Sequence, residues 1–281
     1  MTSVRYNPIT GDPVLFAPER SGRPNAFAND TVEVCPFCPG NESMTPPEVG
    51  RVDRDGHWIA RAFPNKYPAS AHHEVIVESP DHHATYDVID DAAAIMSLYV
   101  NRYRDMRKHN DVAYASLFKN HGATAGASLD HLHSQLLASP DLPVRIARES
   151  AAFAAATACP LCNLRHPHMI RESELFTWSA PDASTMAYQQ WIVPRRHISE
   201  PDAMTPGEMR ELAALLQSSA SAMGKIANAY NWSFVSFPMT RRGHFYVDIF
   251  VRMTSIAGYE LGTQTFIEVV DPAKAAERLR G

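Results

Sequence analysis

Hydrophobic residues along this chain fall into two kinds of run, one with a period of two and one with a period near 3.6. The first kind is clearest in HEVIVES at 73–79, β-branched and alternating, which Pro80-Asp81-His82-His83 terminates; it predicts a strand closed by a turn. Val14, Leu15 and Phe16 make a shorter strand between turn signals, HWIARAFP makes one that ends by Asn65, and 114–118 make another. Between them, residues 89–108 (IDDAAAIMSLYVNRYRDMRK) open on acids, close on bases and place apolar residues at helical spacing, predicting a helix. An alanine-rich helix or linker is expected over 143–158. The pattern then begins again, with strand-like ELFTWSAP and YQQWIVP, an amphipathic helix over roughly 205–229, then NWSFVSFP and GHFYVDIFVR, whose strand is expected to carry His244.

Marker residues sit at matching places in the two passes. Cys35-Pro-Phe-Cys38 opens the first and Cys159-Pro-Leu-Cys162 the second. The interval from Cys38 to His82 is 44 residues and from Cys162 to His197 is 35; from His82 to His131 it is 49 and from His197 to His244 it is 47. Four chemistry-bearing residues thus recur in one order on matching elements, which reads as internal duplication. The expected fold is α+β, with two histidine-bearing units over 1–145 and 146–281, each an antiparallel sheet with packed helices.

Composition narrows the partners. A formal net charge of −5 and a pI near 6.2 over 281 residues argue against nucleic acid or an anionic membrane, which demand clustered bases. No window approaches the ~18 apolar residues of a membrane-crossing helix. MTSVRYNPITGDP lacks the basic start and apolar run of a secretion signal, so the expected location is the cytoplasm. All four cysteines lie in the two CxxC pairs, which in a reducing compartment read as metal ligands.

Two cysteines and two histidines make a closed tetrahedral set for Zn²⁺. The repeat assigns Cys35, Cys38, His82 and His131 to one ion and Cys159, Cys162, His197 and His244 to another, with His83 the rival of its neighbour. Four protein ligands leave no position for water, so two structural zinc ions per chain are expected. Chemistry is expected at 118–135, FKNHGATAGASLDHLHSQ, where an extended strand would put His131, His133 and Gln135 on one face. The small residues upstream would let backbone amides around Gly126 to Ser128 approach a phosphate. The first half ends in HLHSQ and the second in HFYVD, so His133 is the imidazole without a counterpart. With a reference pKa of ~6.5 it suits nucleophilic attack on phosphorus or general acid–base work. Gln135 is placed to donate to a phosphate oxygen. Arg20 and Arg23, on a loop marked by proline and glycine, either reach an anion or are solvated.

Taken together, RYNPITG, PERSGRP, CPFC, the SPDH after a strand, FKNHGATAGASLDHLHSQ and AGYELGTQ resemble the galactose-1-phosphate uridylyltransferases and the related ADP-glucose phosphorylases. These form the transferase branch of the histidine-triad superfamily, and the resemblance spans nearly the whole chain. It implies a nucleotidyltransferase of carbohydrate metabolism, galactose metabolism among it, with the sugar left open. The histidine at 133 attacks the α-phosphate of a nucleoside diphosphate sugar, sugar 1-phosphate leaves, and the nucleotidyl-histidine discharges onto another sugar 1-phosphate. The resemblance further implies phosphate contacts for Arg20 and Arg23 and nucleotide contacts for Asn120, Gly126, Ser128 and Gln135. It implies a sugar-contacting segment at Tyr259 and Glu260, and a homodimer whose sites are completed across the interface. HLHSQ stands closer to the phosphorylases than the HPHGQ common in uridylyltransferases, so phosphate, or water in a hydrolase, is the alternative acceptor. A zinc-stabilised nucleotide-binding protein without turnover is the expectation from another class.

Overall fold

The computed structural model describes residues 2–22, 34–162 and 168–281. A small antiparallel hairpin, β1 (Ser3–Tyr6) and β2 (Pro13–Phe16), precedes a ten-stranded sheet. The first half supplies β3 (Gly50–Arg54), β4 (His57–Pro64), β5 (His73–Val77), β6 (Tyr114–His121) and β7 (His133–Ser139). The second supplies β8 (His168–Glu172), β9 (Phe176–Ala180), β10 (Gln190–Pro194), β11 (Tyr230–Val235) and β12 (Tyr246–Val251). Helices are α1 (Ala92–Met106), α2 (Val144–Ala155), α3 (Pro206–Gly224), α4 (Gly258–Thr263) and α5 (Pro272–Arg280).

The strand order β3-β4-β5-β7-β6-β11-β12-β10-β9-β8 is a palindrome of the two halves, and every pairing in it is antiparallel. The duplication expected from the sequence is therefore visible as two five-stranded halves, and the fold is α+β. Edge pairing of β6 with β11 fuses them, with Asn120 opposite Asn231 and Lys119 opposite Trp232.

Local chemistry explains the helix boundaries. Asp91 caps α1 by accepting the Ala94 N–H at 3.1 Å, and Thr205 and Glu208 form a reciprocal capping box on α3, with Pro206 in its first turn. Helix α3 stops at Gly224, short of the expected 229, because glycine is a poor helix former and the chain must turn to enter β11 at Tyr230. The 143–158 stretch is a helix, α2.

Alternation along the strands sorts the side chains between two faces. Ile76, Leu117, Leu136, Trp232, Phe234, Val247 and Ile249 share one core with Ile95 and Tyr99 of α1 and Leu212 and Leu216 of α3. The opposite face of the second half is covered by α2, whose Ile146 and Phe153 pack with Phe237 and Tyr246. On the first half that face carries a smaller cluster of Phe37, Trp58, Phe63, Val75 and Val77. Among the described residues no helix is long and apolar enough to cross a membrane. Trp232, at the seam, is 2 % exposed, so Trp232→Ala should cost about 3–5 kcal/mol in denaturant unfolding. Val88→Ala, at an exposed position, should stay within about 0.5 kcal/mol.

Candidate active site and metal centres

Three separated stretches of each half converge on one cluster of donors. Cys35, Cys38, His82 and His131 bring four ligand atoms within 4.8 Å of one another, as do Cys159, Cys162, His197 and His244. In the first cluster His131 Nδ1 lies 3.6 Å from each of the two sulfurs and His82 Nδ1 lies 3.3 Å from Cys38 Sγ. In the second, His244 Nδ1 is 3.4 Å from Cys159 Sγ and 3.3 Å from Cys162 Sγ, which is also 3.3 Å from His197 Nδ1. Tetrahedral bonds of about 2.3 Å to sulfur and 2.0–2.1 Å to nitrogen put such atoms about 3.5 Å apart, so both clusters could hold a metal ion of that kind. Nδ1 faces the cluster because Nε2 donates elsewhere: His131 to Ser79 O at 2.8 Å, His197 to Arg241 O at 2.9 Å and His244 to Pro194 O at 2.9 Å. Burial, with the neighbouring cysteine, pushes the Cys38 and Cys162 thiols up to about 11. A bound dication would reverse that penalty. His83 stands outside the cysteine clusters, its backbone N–H donating to Asp81 at 3.0 Å.

His131 is not on the strand. It lies in the bend before β7, which begins at His133, and His244 likewise precedes β12. The bend is what allows the His131 ring to turn toward the cysteines. Its carbonyl accepts the His133 Nδ1–H at 2.7 Å, so the lone pair of the His133 imidazole sits on Nε2. Phe37, the third residue of the CPFC turn, sets its ring edgewise to His133 with centroids 5.4 Å apart. The CPFC turn therefore packs directly on this imidazole.

Gln135 shares the His133 face of β7 and is oriented by a residue that sequence patterning passed over. His73 Nδ1 accepts the Ala69 N–H at 3.1 Å, so its proton is on Nε2, which donates to Gln135 Oε1 at 3.1 Å. The Gln135 amide nitrogen, a donor, becomes the other end. Asn120, near the end of β6, is on the same face and is held by Asn231 Nδ2, which donates to Asn120 Oδ1 at 2.8 Å and to Ala125 O at 3.0 Å. Asn231, too, was missed; the first of three polar residues in NWSFVSF gives no sign of its partner across a seam.

The loop after β6 narrows one expectation. Gly126 N–H donates to Ala123 O at 2.9 Å and Ala127 N–H to Gly122 O at 3.3 Å, so these two amides close the loop's own turns. Gly122 and Gly126 carry φ of 82° and 87°, which glycine adopts without strain. A Cβ on Gly126 would stand 3.8 Å from Asn120 Nδ2, placing that amide beside the loop. Ser128 is half-buried beyond it.

Arg20, in a short 3-10 turn, donates to Tyr67 O in the β4–β5 connection, the same connection that holds Ala69 and leads into His73 at the start of β5. Arg23 lies outside the described residues. Tyr259 and Glu260 fall on α4, which buries none of its residues, and Glu260 caps its own helix by accepting the Ala257 N–H at 3.2 Å. Within one chain they are not drawn into the His133 group by any described hydrogen bond.

The second half fills the equivalent space with its own side chains. Tyr246 and Asp248 stand where β7 has His133 and Gln135, and α2 reaches over them. Arg145 Nη1 pairs with Asp248 at 2.8 Å, Arg145 Nη2 donates to Tyr246 Oη at 2.8 Å, and that hydroxyl donates to Glu149 at 2.9 Å.

A duplicated antiparallel half with an HxH at the head of a central strand defines a histidine-triad fold. The chain belongs to the family of galactose-1-phosphate uridylyltransferases and ADP-glucose phosphorylases. It is 30% identical to an ADP-glucose phosphorylase from Arabidopsis thaliana across 99% of this chain and 92% of that protein. It is 26% identical to a galactose-1-phosphate uridylyltransferase from Thermotoga maritima across 100% and 98%. The crystal structure of the Arabidopsis phosphorylase with bound ADP-glucose superposes with a TM-score of 0.81 at 30% identity, covering 100% of this chain and 99% of that one. A uridylyltransferase structure superposes with a TM-score of 0.85 at 25% identity, covering 100% and 98%. Residues 78–280 also match a domain family described only as a domain of unknown function, DUF4921.

The two clusters predict a stoichiometry. Metal analysis of protein expressed with zinc should give about two ions per chain, and Cys162→Ser should reduce that to about one while keeping the first. A wild-type count near one would remove the second cluster as a metal centre.

Proposed function

We propose that the chain is a nucleotidyltransferase acting on a nucleoside diphosphate sugar through a covalent nucleotidyl-His133, with sugar 1-phosphate as acceptor. The observation that carries this is the 2.7 Å bond from His133 Nδ1–H to the His131 carbonyl, which keeps the lone pair on Nε2, held against Phe37. A neutral imidazole so oriented needs no separate base. In the first step Nε2 attacks the α-phosphorus; the P–N bond forms, the P–O bond to the β-phosphate breaks, and sugar 1-phosphate leaves with the electron pair. In the second, a phosphate oxygen of the acceptor attacks the same phosphorus and the P–N pair returns to Nε2. The Gln135 amide nitrogen, set by His73, would donate to a non-bridging oxygen as charge builds. Asn120 and Ser128 would hold the nucleotide, with Gly126 giving room beside Asn120, and Arg20 and Arg23 would meet the phosphates.

Zinc is the ion whose donor preference fits both Cys₂His₂ sets, and with four protein ligands its role is to hold the scaffold. On this reading 1–145 is the catalytic unit and 146–281 a degenerate copy. Tyr259 and Glu260 enter the site only from a second copy of the chain, which makes a homodimer part of the proposal. A phosphorylase, in which inorganic phosphate discharges the same intermediate, is the second reading; Ser134 in HLHSQ and the 30% identity to the Arabidopsis phosphorylase favour it.

Intact-mass measurement after mixing the protein with a panel of nucleoside diphosphate sugars should show a nucleotidyl adduct whose mass identifies the base, absent in His133→Ala. Discharge by sugar 1-phosphate but not by phosphate selects the transferase, and the converse the phosphorylase. No adduct with any donor, in protein carrying its full metal, would contradict the covalent step.

A further inference from the structure

Beneath His133, on the helical side of the sheet, lies an ion pair with no place in the chemistry above. Lys119 of β6 and Glu78, just past β5, are both completely buried and are in direct contact. Lys119 Nζ also donates to the His133 carbonyl at 2.9 Å. Glu78 accepts a hydrogen bond from Tyr99, whose hydroxyl is 3.3 Å from Ser134 Oγ, and the Tyr86 and Trp232 rings wall the ammonium at 5.2 and 5.8 Å. Burial pushes the Lys119 ammonium toward its neutral form and Glu78 offsets only part of this. A pair of apolar side chains of similar volume would be as good for stability or better.

The strand ladder shows what the pair does. Strand β5 stays paired with β7 up to Val77 opposite His133. On the other side, β6 pairs with β7 only as far as Phe118 opposite Gln135 and then diverges, so no backbone ladder reaches His133 from β6. The Lys119 side chain crosses that opening and supplies the hydrogen bond to the carbonyl. In the second half the ladder is complete: β11 pairs with β12 to the end, Val235 opposite Tyr246. By the same register Phe234 and Pro194 take the places of Lys119 and Glu78 there, and Phe234 is simply part of the apolar core. The repeated fold therefore forms without the pair. It occurs in the half whose strand is splayed and whose strand head is a histidine.

We infer that Lys119, countered by Glu78, is a positioning residue that fixes the main chain of His133 across the splay between β6 and β7, so that Nε2 is held in line with the α-phosphate. The splay leaves room for Asn120 and the 122–128 loop; the side-chain donor keeps the nucleophile rigid despite it. This rests on the nucleotidyl-His133 reading.

The test is the double variant Lys119→Met with Glu78→Gln, which removes the donor without stranding a charge. Single-turnover adduct formation should slow about 10²-fold, the loss expected from small misplacement of a reacting group. The donor concentration giving half-maximal rate, the melting temperature and the metal content should stay near wild type, a combination that a merely weakened fold would not give. The neutral pair Lys119→Gln with Glu78→Gln keeps an amide donor for the carbonyl. It should fall between the two, and serves the same comparison if the methionine variant loses metal. Adduct formation at the wild-type rate in both double variants overturns the inference alone. A wild-type protein that forms no adduct overturns the nucleotidyl-His133 reading and the inference with it.

Discussion

Four donor atoms from three distant stretches must meet within 4.8 Å, and the first half of the chain is built around that demand. The segment from Cys35 to Val49 has only a single 3-10 turn of regular structure, so its place is set by the donor cluster, by Phe37 in its core and by hydrogen bonds from Trp58 and Arg61 of β4. His131 is anchored at both ring nitrogens, Nδ1 in the cluster and Nε2 on Ser79 O, which pins its main chain. That main chain presents the carbonyl that holds the His133 tautomer. The path from scaffold to His133, the proposed nucleophile, is thus two residues long and runs through hydrogen bonds and packing, with no flexible side chain in between.

The two halves show one scaffold put to two uses. Both keep the donor cluster, the strand order and the helix between the third and fourth strands. They differ where the substrate would sit. In the second half α2 closes that face with Arg145 and Glu149 bonded to Tyr246 and Asp248, while Leu161 of CPLC packs with the adjoining cluster where CPFC has Phe37. The same surface that is proposed to take a ligand in one half fastens the inter-unit helix in the other.

Much of this was legible in the residues. Cysteine pairs and the histidines that match between halves are discrete markers, and their spacing survives any error in strand boundaries; alternation in HEVIVES and helical spacing in 89–108 found β5 and α1 directly. Registers were not legible. His73, Asn231, Lys119 and Glu78 acquire partners only through β5–β7, β6–β11 and the opening between β6 and β7, and no local pattern encodes those. The glycine-rich loop reads as an anion cradle because small residues permit one; hydrogen bonds within the loop narrow this by using the amides of Gly126 and Ala127. His131 looked like a strand residue because HLHSQ alternates; orienting its ring toward two cysteines bends the chain instead.

Mapping the site of modification tests the central claim most directly. After reaction with a nucleoside diphosphate sugar and digestion under alkaline conditions that preserve a phosphoramidate, fragmentation of the peptide covering 120–145 should place the nucleotidyl group on His133, not on His121 or His131 in the same peptide. A nucleotidyl group on another residue, or none in protein that turns over its donor, would contradict the account.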